Sequence, residues 1–438
     1  MSKHRPLSLL TAILININVM LGIGIFINTV ELTKRAGAYG CLAYAIIGLM
    51  MLPLIISIAK LVRLHPDGGF YTYAKKEINT FAGFLSAWGY FTGKLGSGAV
   101  VLHTAVRLIQ HLIPMLEIIP TLALDAIFIG IFVWLNTLNM QAGSSIQKGF
   151  MICKIIPIFF AILTGLFLFQ PSYIITSPFD ISGIGSSLSL ALFAIIGFEV
   201  ACSISNKIEN PEVNGPKAIL ISYGLVIATV VLYQLIFYSA LGPDLAQKSS
   251  YLEAFPALIH QLFPSNPTLA VILAKIIHLA FAASALGGSY GTMFSNGWNL
   301  YTLAQHNHLF FGSIFTWLNK HAIPVACVVV EGIIYMSYLI ASGGNQVPLQ
   351  QLGALGCVLG YTFSVLALLV AAYYKKYPKI TLWLPLCGLI NCIILIAACI
   401  RGMLISGPAA FYLLLALLLL GTIMYLIKAK KKRNSLAM

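Results

Sequence analysis

The chain has 438 residues, of which 59% are apolar and 9% charged, with a formal net charge of +14. Ordinary soluble domains carry about 25% charged residues, so the composition excludes a soluble globular protein, a disordered chain and a secreted disulfide scaffold together. None of these keeps so much apolar surface in water.

The apolar residues come in runs with almost no charge, such as 122–134, 155–169, 219–241 and 409–427. Runs of about 17 to 25 such residues read as membrane-spanning helices. In chain order the sequence predicts an all-α integral membrane protein with twelve spans, at residues 8–35, 38–63, 80–112, 121–139, 146–170, 184–205, 216–241, 268–302, 323–341, 350–374, 380–400 and 409–428. The opening Met-Ser-Lys-His-Arg-Pro leads into a full-length span without a small-residue cleavage site, so the first helix is expected to be retained. With the N-terminus inside, nineteen of the 26 Lys and Arg fall on the cytoplasmic side, among them Lys3, Arg5, Lys75, Lys76, Lys375 and Lys376. Lys34, Arg35, Arg107, Lys248 and Arg401 fall outside, and Lys94 and Lys275 within spans. This asymmetry follows the positive-inside rule and puts both termini in the cytoplasm. The basic charge is then topology, with no nucleic acid as partner.

The eight cysteines show no Cys-x-x-Cys spacing and read as small apolar residues, with no metal expected. The longest hydrophilic stretches are 243–267 and 305–321, so function is expected inside the bilayer. The first span carries Gly22-Ile23-Gly24, and the sixth carries Gly197 within Phe193-Ala194-Ile195-Ile196-Gly197-Phe198-Glu199. Glycines at comparable places in two halves point to an inverted repeat, one copy at about 8–170 and the other at about 184–374, followed by two extra helices at about 380–428. Glycine removes the side-chain obstacle to unwinding, and unwound backbone survives in a bilayer only where it lines a cavity or binds something polar. Each break would offer a half-helix N-terminus for a carboxylate and free carbonyls for an ammonium. One small zwitterion would satisfy both. Packing glycines, of the kind also seen in Gly89-x-x-x-Gly93, are the alternative for any one of them.

Asn18-Val19-Met20-Leu21-Gly22-Ile23-Gly24-Ile25-Phe26 followed by Ala36-Gly37 resembles the first helix of the amino acid, polyamine and organocation transporters. The resemblance continues in order through the loop Pro66-Asp67-Gly68-Gly69-Phe70-Tyr71-Thr72-Tyr73, then Gly197-Phe198-Glu199 with Glu209-Asn210-Pro211 and Pro216-Lys217-Ala218. Leu303-Ala304-Gln305, Asn319-Lys320-His321 with Pro324, and Tyr373-Tyr374-Lys375-Lys376-Tyr377-Pro378 complete it. It implies a LeuT-like core of ten helices in a 5+5 inverted repeat, plus two more, working by alternating access. It also implies that the N-H groups of Gly22, Ile23 and Gly24 bind a substrate carboxylate. Carbonyls of Met20, Phe193 and Ile196, at the break centred on Gly197, would then take the amino group. Phe193 stands at the position of an aromatic gate. Ile23 replaces the small residue, often Ser, usual between the two glycines, and Trp298-Asn299 and Phe310 depart from the pattern at the end of the eighth helix.

An uncompensated charge near the bilayer centre costs at least about 2.5 to 3.5 kcal/mol. Lys154 resembles the lysine that sodium-independent relatives place where others hold sodium, which makes it the first candidate for proton coupling; a snorkelling lysine is the alternative. Glu199 is the second, either titrating or clamping a broken helix, with the frayed N-H groups of the first break as possible donors. Lys94 lies about fourteen residues into the third helix, roughly 20 Å deep. Facing the pocket, it would favour a substrate with an acidic or strongly polar side chain. The alternative is an ion pair, with Glu331 as its possible partner. Lys275 and His278 read as packing or interfacial groups, and His103 as a satisfied core histidine.

A membrane enzyme would need a nucleophile with its base or a metal cluster, and no His-Glu-x-x-His or paired acidic motif is present. A channel would need a continuous polar pore. The sequence therefore predicts secondary transport of an amino acid or close derivative, coupled to protons and independent of sodium, in a bacterial inner membrane. An obligate exchanger, a polyamine or organic-cation transporter and a transporter-fold sensor stand as alternatives. No cofactor is expected, and nothing indicates a heavy-chain partner of the kind some animal relatives use.

Overall fold

The computed structural model describes residues 7–66, 68–138, 156–203, 205–377 and 380–436. Cys153 and Lys154 lie outside these residues. Every extended element is helical, and the only strand-like pairing among the described residues is the isolated bridge between Leu7 and Ile208.

The first predicted span is two helices, α1 (Leu9–Met20) and α2 (Gly24–Ala36), separated at Leu21, Gly22 and Ile23. α3 (Gly40–Leu64) returns through the bundle and α4 (Phe70–Glu77) follows it. The sequence reading treated 66–73 as loop. Helix begins at Phe70 because Tyr71, Tyr73, Ala74 and Glu77 share a buried side. α5 (Thr80–Leu112) is started by Asn79, whose side chain accepts from the Ala82 N-H. Then come α6 (Thr121–Asn136), α7 (Ile156–Phe167) and α8 (Pro171–Ile175).

The sixth predicted span is also divided, into α9 (Ile181–Ile195), capped by Asp180, and the short α10 (Val200–Ser203). α11 (Pro211–Leu241) places proline in its first turn, where the missing N-H costs nothing. α12 (Tyr251–Leu262), α13 (Pro267–Gln305), α14 (Gly312–Thr316), α15 (Val325–Ser342), α16 (Gln346–Tyr373), α17 (Trp383–Ser406) and α18 (Ala409–Leu436) complete the chain.

Eight described helical segments are long and apolar enough to cross a membrane. α5 is not among them, although it has 33 residues. It is enclosed by neighbours instead of lipid, so it can carry Ser86, Thr92, Ser97, His103 and Thr104 in buried positions. Its contact with α16 is close because glycines meet there: a Cβ on Gly93 would lie 2.1 Å from the Gly356 Cα. Small residues permit such backbone approach where no hydrophobic effect drives helices together. α17 and α18 instead leave Ile393, Ile405, Leu419 and Ile423 more than half exposed, as a lipid-facing surface requires.

At one end of the bundle Glu77 joins three elements. His65 Nε2 lies 2.7 Å and the Tyr377 hydroxyl 3.2 Å from Oε1, and Lys376 Nζ donates to Oε2 at 2.9 Å. Burial pushes the Glu77 carboxyl up, but the donors from Lys376 and His65 outweigh it and hold the group below the usual carboxylate range. A carboxyl lowered by folding adds stability that is complete above its unfolded pKa of about 4.3 and lost as pH falls through the folded value. Thermal unfolding in detergent should therefore show the wild type losing melting temperature below about pH 4.3 more steeply than Glu77→Gln, which starts lower at neutral pH. Parallel curves for the two proteins would remove Glu77 from this role.

Candidate functional site

The two interruptions meet. Gly197 has φ +124° and would place a Cβ 3.3 Å from the Met20 Cα and N. Gly24 lies under the Phe193 ring, where a Cβ would come within 2.9 Å of Cδ1. Asn28 Nδ2 donates to the Leu190 carbonyl at 2.7 Å, holding α2 against α9. On the other side of the breaks, Asn16 donates to Ser222 Oγ at 2.6 Å and accepts from the Ala201 N-H at 3.2 Å, holding α1 against both α10 and α11. Each half of one broken helix is thus tied to its counterpart in the other.

Their main-chain groups are unevenly satisfied. The Gly22 N-H donates to the Met20 carbonyl at 2.8 Å, so these two members of the expected binding set answer each other. Ile23 and Gly24 are buried, and no acceptor among the described residues meets either N-H. In the second break the Ile196 N-H still reaches the Leu192 carbonyl, while the Gly197 N-H turns to Glu199 Oε2 at 3.0 Å. The carbonyls of Phe193 and Ile196 are left without an N-H donor among the described residues. The two breaks thus leave main-chain donors and acceptors unpaired at buried residues, where each such group is costly unless something polar binds it.

Glu199 is 3% exposed and its two oxygens are shared among several donors. Oε1 accepts from Lys94 Nζ at 2.9 Å and the Tyr90 hydroxyl at 3.0 Å; Oε2 accepts from the Tyr361 hydroxyl at 2.6 Å and from the Gly197 N-H. Cys357 Sγ lies 3.8 Å from Lys94 Nζ and 3.9 Å from Glu199 Oε1. Two expectations are corrected here. Lys94 pairs with Glu199 and not with Glu331, which lies on α15 against Gly297. Glu199 takes the N-H of its own break and not those of the first, because the φ of Gly197 turns that N-H back toward the carboxylate. Tyr90, Tyr361 and Cys357 were not anticipated. Tyr90 stands four residues before Lys94, a spacing that places both on one side of α5. Nothing in the sequence says that α16 supplies Tyr361 and Cys357.

His103 is paired with buried Asp125, Nδ1 to Oδ2 at 2.7 Å. The described cysteines are all free, and no group of three His, Cys, Asp or Glu among the described residues is placed to hold a metal. Gly287-Gly288-Ser289-Tyr290-Gly291 has the Gly-x-Ser-x-Gly spacing of a hydrolase nucleophile. It lies inside α13, where Ser289 donates to the Gly98 carbonyl at 3.0 Å. The strand-to-helix turn that exposes such a serine is absent there.

Two broken helices joined at their interruptions, within a bundle of apolar helices, form the architecture of a membrane transporter. The profile of the amino acid permease family matches residues 7–426, and the chain belongs to that family. It is an integral membrane transporter and not an enzyme. The chain is 24% identical to the b(0,+)-type amino acid transporter 1 of Mus musculus, over 97% of this chain and 88% of the relative. An uncharacterized transporter of Mycobacterium tuberculosis is 24% identical over 93% of this chain and 89% of its own length. An arginine/ornithine antiporter of Latilactobacillus sakei is 26% identical over 56% of this chain and 55% of the relative.

Proposed function

We propose that this protein is a secondary active transporter that carries an amino acid or close derivative by alternating access, coupled to protons and independent of sodium. In this reading it has twelve spans in a bacterial inner membrane, both termini are cytoplasmic, and the core is a 5+5 inverted repeat. The observation that carries the reading is the pair of unpaired half-helix N-H groups at Ile23 and Gly24 in one break, together with the donor-free carbonyls of Phe193 and Ile196 in the break packed against it. A carboxylate on the first pair and an ammonium on the second would satisfy all four, and an α-amino acid carries both groups on one small molecule.

The Lys94–Glu199 pair alters the expectation about the side chain. Its opposite charges lie 2.9 Å apart, so the lysine no longer gives a reason to favour an acidic substrate. A zwitterion without a charged side chain suits these surroundings. Lys154 and Glu199 are assigned to coupling. Glu199 is fully partnered here, and motion that opens the breaks must remove some of its donors, after which taking up a proton becomes the cheaper way to remain buried.

Uptake by purified protein in liposomes tests this, with an amino acid panel under an inward proton gradient, an inward sodium gradient, or internal amino acid alone. Accumulation is expected with the proton gradient alone, and Lys154→Ala should abolish it. Normal accumulation by that variant would overturn the assignment of Lys154. Uptake only against internal substrate would favour the second reading, an obligate exchanger, to which the antiporter among the relatives lends support.

A further inference from the structure

Away from the broken helices, a cavity of about 180 Å³ opens where α5 ends and α13 begins. His111 from α5, His260 from α12, and Lys275 and His278 from α13 line it, separated by apolar residues and with no acidic one among them. His278 is 2% exposed, and although its ring interacts with the Leu252 backbone, its buried Nε2 has no hydrogen-bond partner among the described residues. The His111 ring packs edge-on against it, with centroids 5.3 Å apart. Buried polar atoms are almost always paired, so an orphaned imidazole nitrogen in a cavity of basic groups points to a ligand that brings the partner. A metal does not fit, because the three histidines of the lining, like every other His, Cys, Asp and Glu among the described residues, are not grouped closely enough to hold one.

The surroundings identify the ligand's chemistry. Lys275 is exposed on the side of α13 that also exposes Val271, Ile272 and Leu279, a stripe suited to lipid. Just beyond His111, the turn Pro114–Ile118 exposes Met115 and Ile118 by more than four fifths, an apolar surface that belongs at the membrane boundary. The cavity therefore lies where lipid tails give way to headgroups. A lysine there needs an anion. In the proposed topology the pocket lies at the outer face, so the anion at hand is an anionic headgroup of the outer leaflet, held by the same charge attraction that basic pockets on the cytoplasmic side use. We propose that His111, His260, Lys275 and His278 form a binding site for the phosphate of an anionic phospholipid. Lys275 supplies charge, the imidazoles supply N-H donors to the phosphate oxygens, and the acyl chains lie along the apolar stripe of α13. The site is separate from the Lys94–Glu199 region and does not depend on which substrate is carried.

Native mass spectrometry and thermal unfolding of the full-length protein in detergent test the proposal, with phosphatidylglycerol, phosphatidylcholine and inorganic phosphate as separate additions. Phosphatidylglycerol should be retained and should raise the melting temperature, and phosphatidylcholine should do neither. Lys275→Gln should weaken phosphatidylglycerol binding about fivefold, the effect of removing one surface cation near a charged lipid. His260→Gln should weaken it further. Both side chains are exposed, so the melting temperature without lipid should stay near that of the wild type. Equal effects of the two lipids, or unchanged phosphatidylglycerol binding by a variant carrying both Lys275→Gln and His260→Gln, would overturn the proposal. Stabilisation by inorganic phosphate without any by phosphatidylglycerol would identify a soluble anion and overturn the lipid assignment.

Discussion

Lys94→Met should destabilise the protein by about 3 to 5 kcal/mol, because it leaves the Glu199 carboxylate buried without its cation. The side chains of Lys94 and Glu199 are 13% and 3% exposed, so solvent cannot replace the lost partner. Met keeps nearly the length of the lysine stem, which limits the packing loss. Adding Glu199→Gln should recover most of the deficit, since an amide can still bond Tyr90, Tyr361 and Gly197 while carrying no charge. The pair thus predicts a strongly non-additive double-mutant cycle. Reversible unfolding in mixed detergent is the measurement. Losses that simply add would mean that Lys94 and Glu199 do not depend on each other. A changed ranking of competing amino acids in the double variant would place Lys94 against the substrate as well.

Gly197→Ala should lower transport by at least about tenfold, equivalent to about 1.4 kcal/mol at the rate-limiting step. Two causes act together. The φ of +124° is one that L side chains rarely adopt, and the new Cβ would sit 3.3 Å from the Met20 backbone in the other break. Backbone strain of this kind costs about 1 to 3 kcal/mol, and the contact falls where two half-helices must move against each other. Gly185→Ala on α9 is the control, since its Cβ would meet open space. Initial rates of uptake in liposomes with matched protein content decide the matter. Equal rates for Gly197→Ala and wild type would show that the break tolerates a side chain and that its geometry is not critical.

Much of the architecture was legible because lipid imposes it locally. Long uncharged runs announce helices without reference to any other part of the chain, and the third and eighth predicted spans, 80–112 and 268–302, correspond closely to α5 and α13. The divisions in the first and sixth spans were legible for the same reason: glycine at 22, 24 and 197 removes a side chain exactly where unwound backbone has to fit, and that is a property of the residue itself. α4 was less so, because a helix of eight residues has too few turns for its periodicity to stand out from a loop.

What the sequence could not decide was which elements meet. It offered Lys94 a pocket or Glu331, and the fold gave it Glu199, because α5 crosses the second break and packs on α16 through Gly93 and Gly356. The same crossing brings Tyr361 and Cys357 to that carboxylate. Hydropathy depends on one helix in its solvent and can be read from the chain. Pairing of buried polar groups depends on the crossing of helices remote in sequence, and only tertiary packing fixes it.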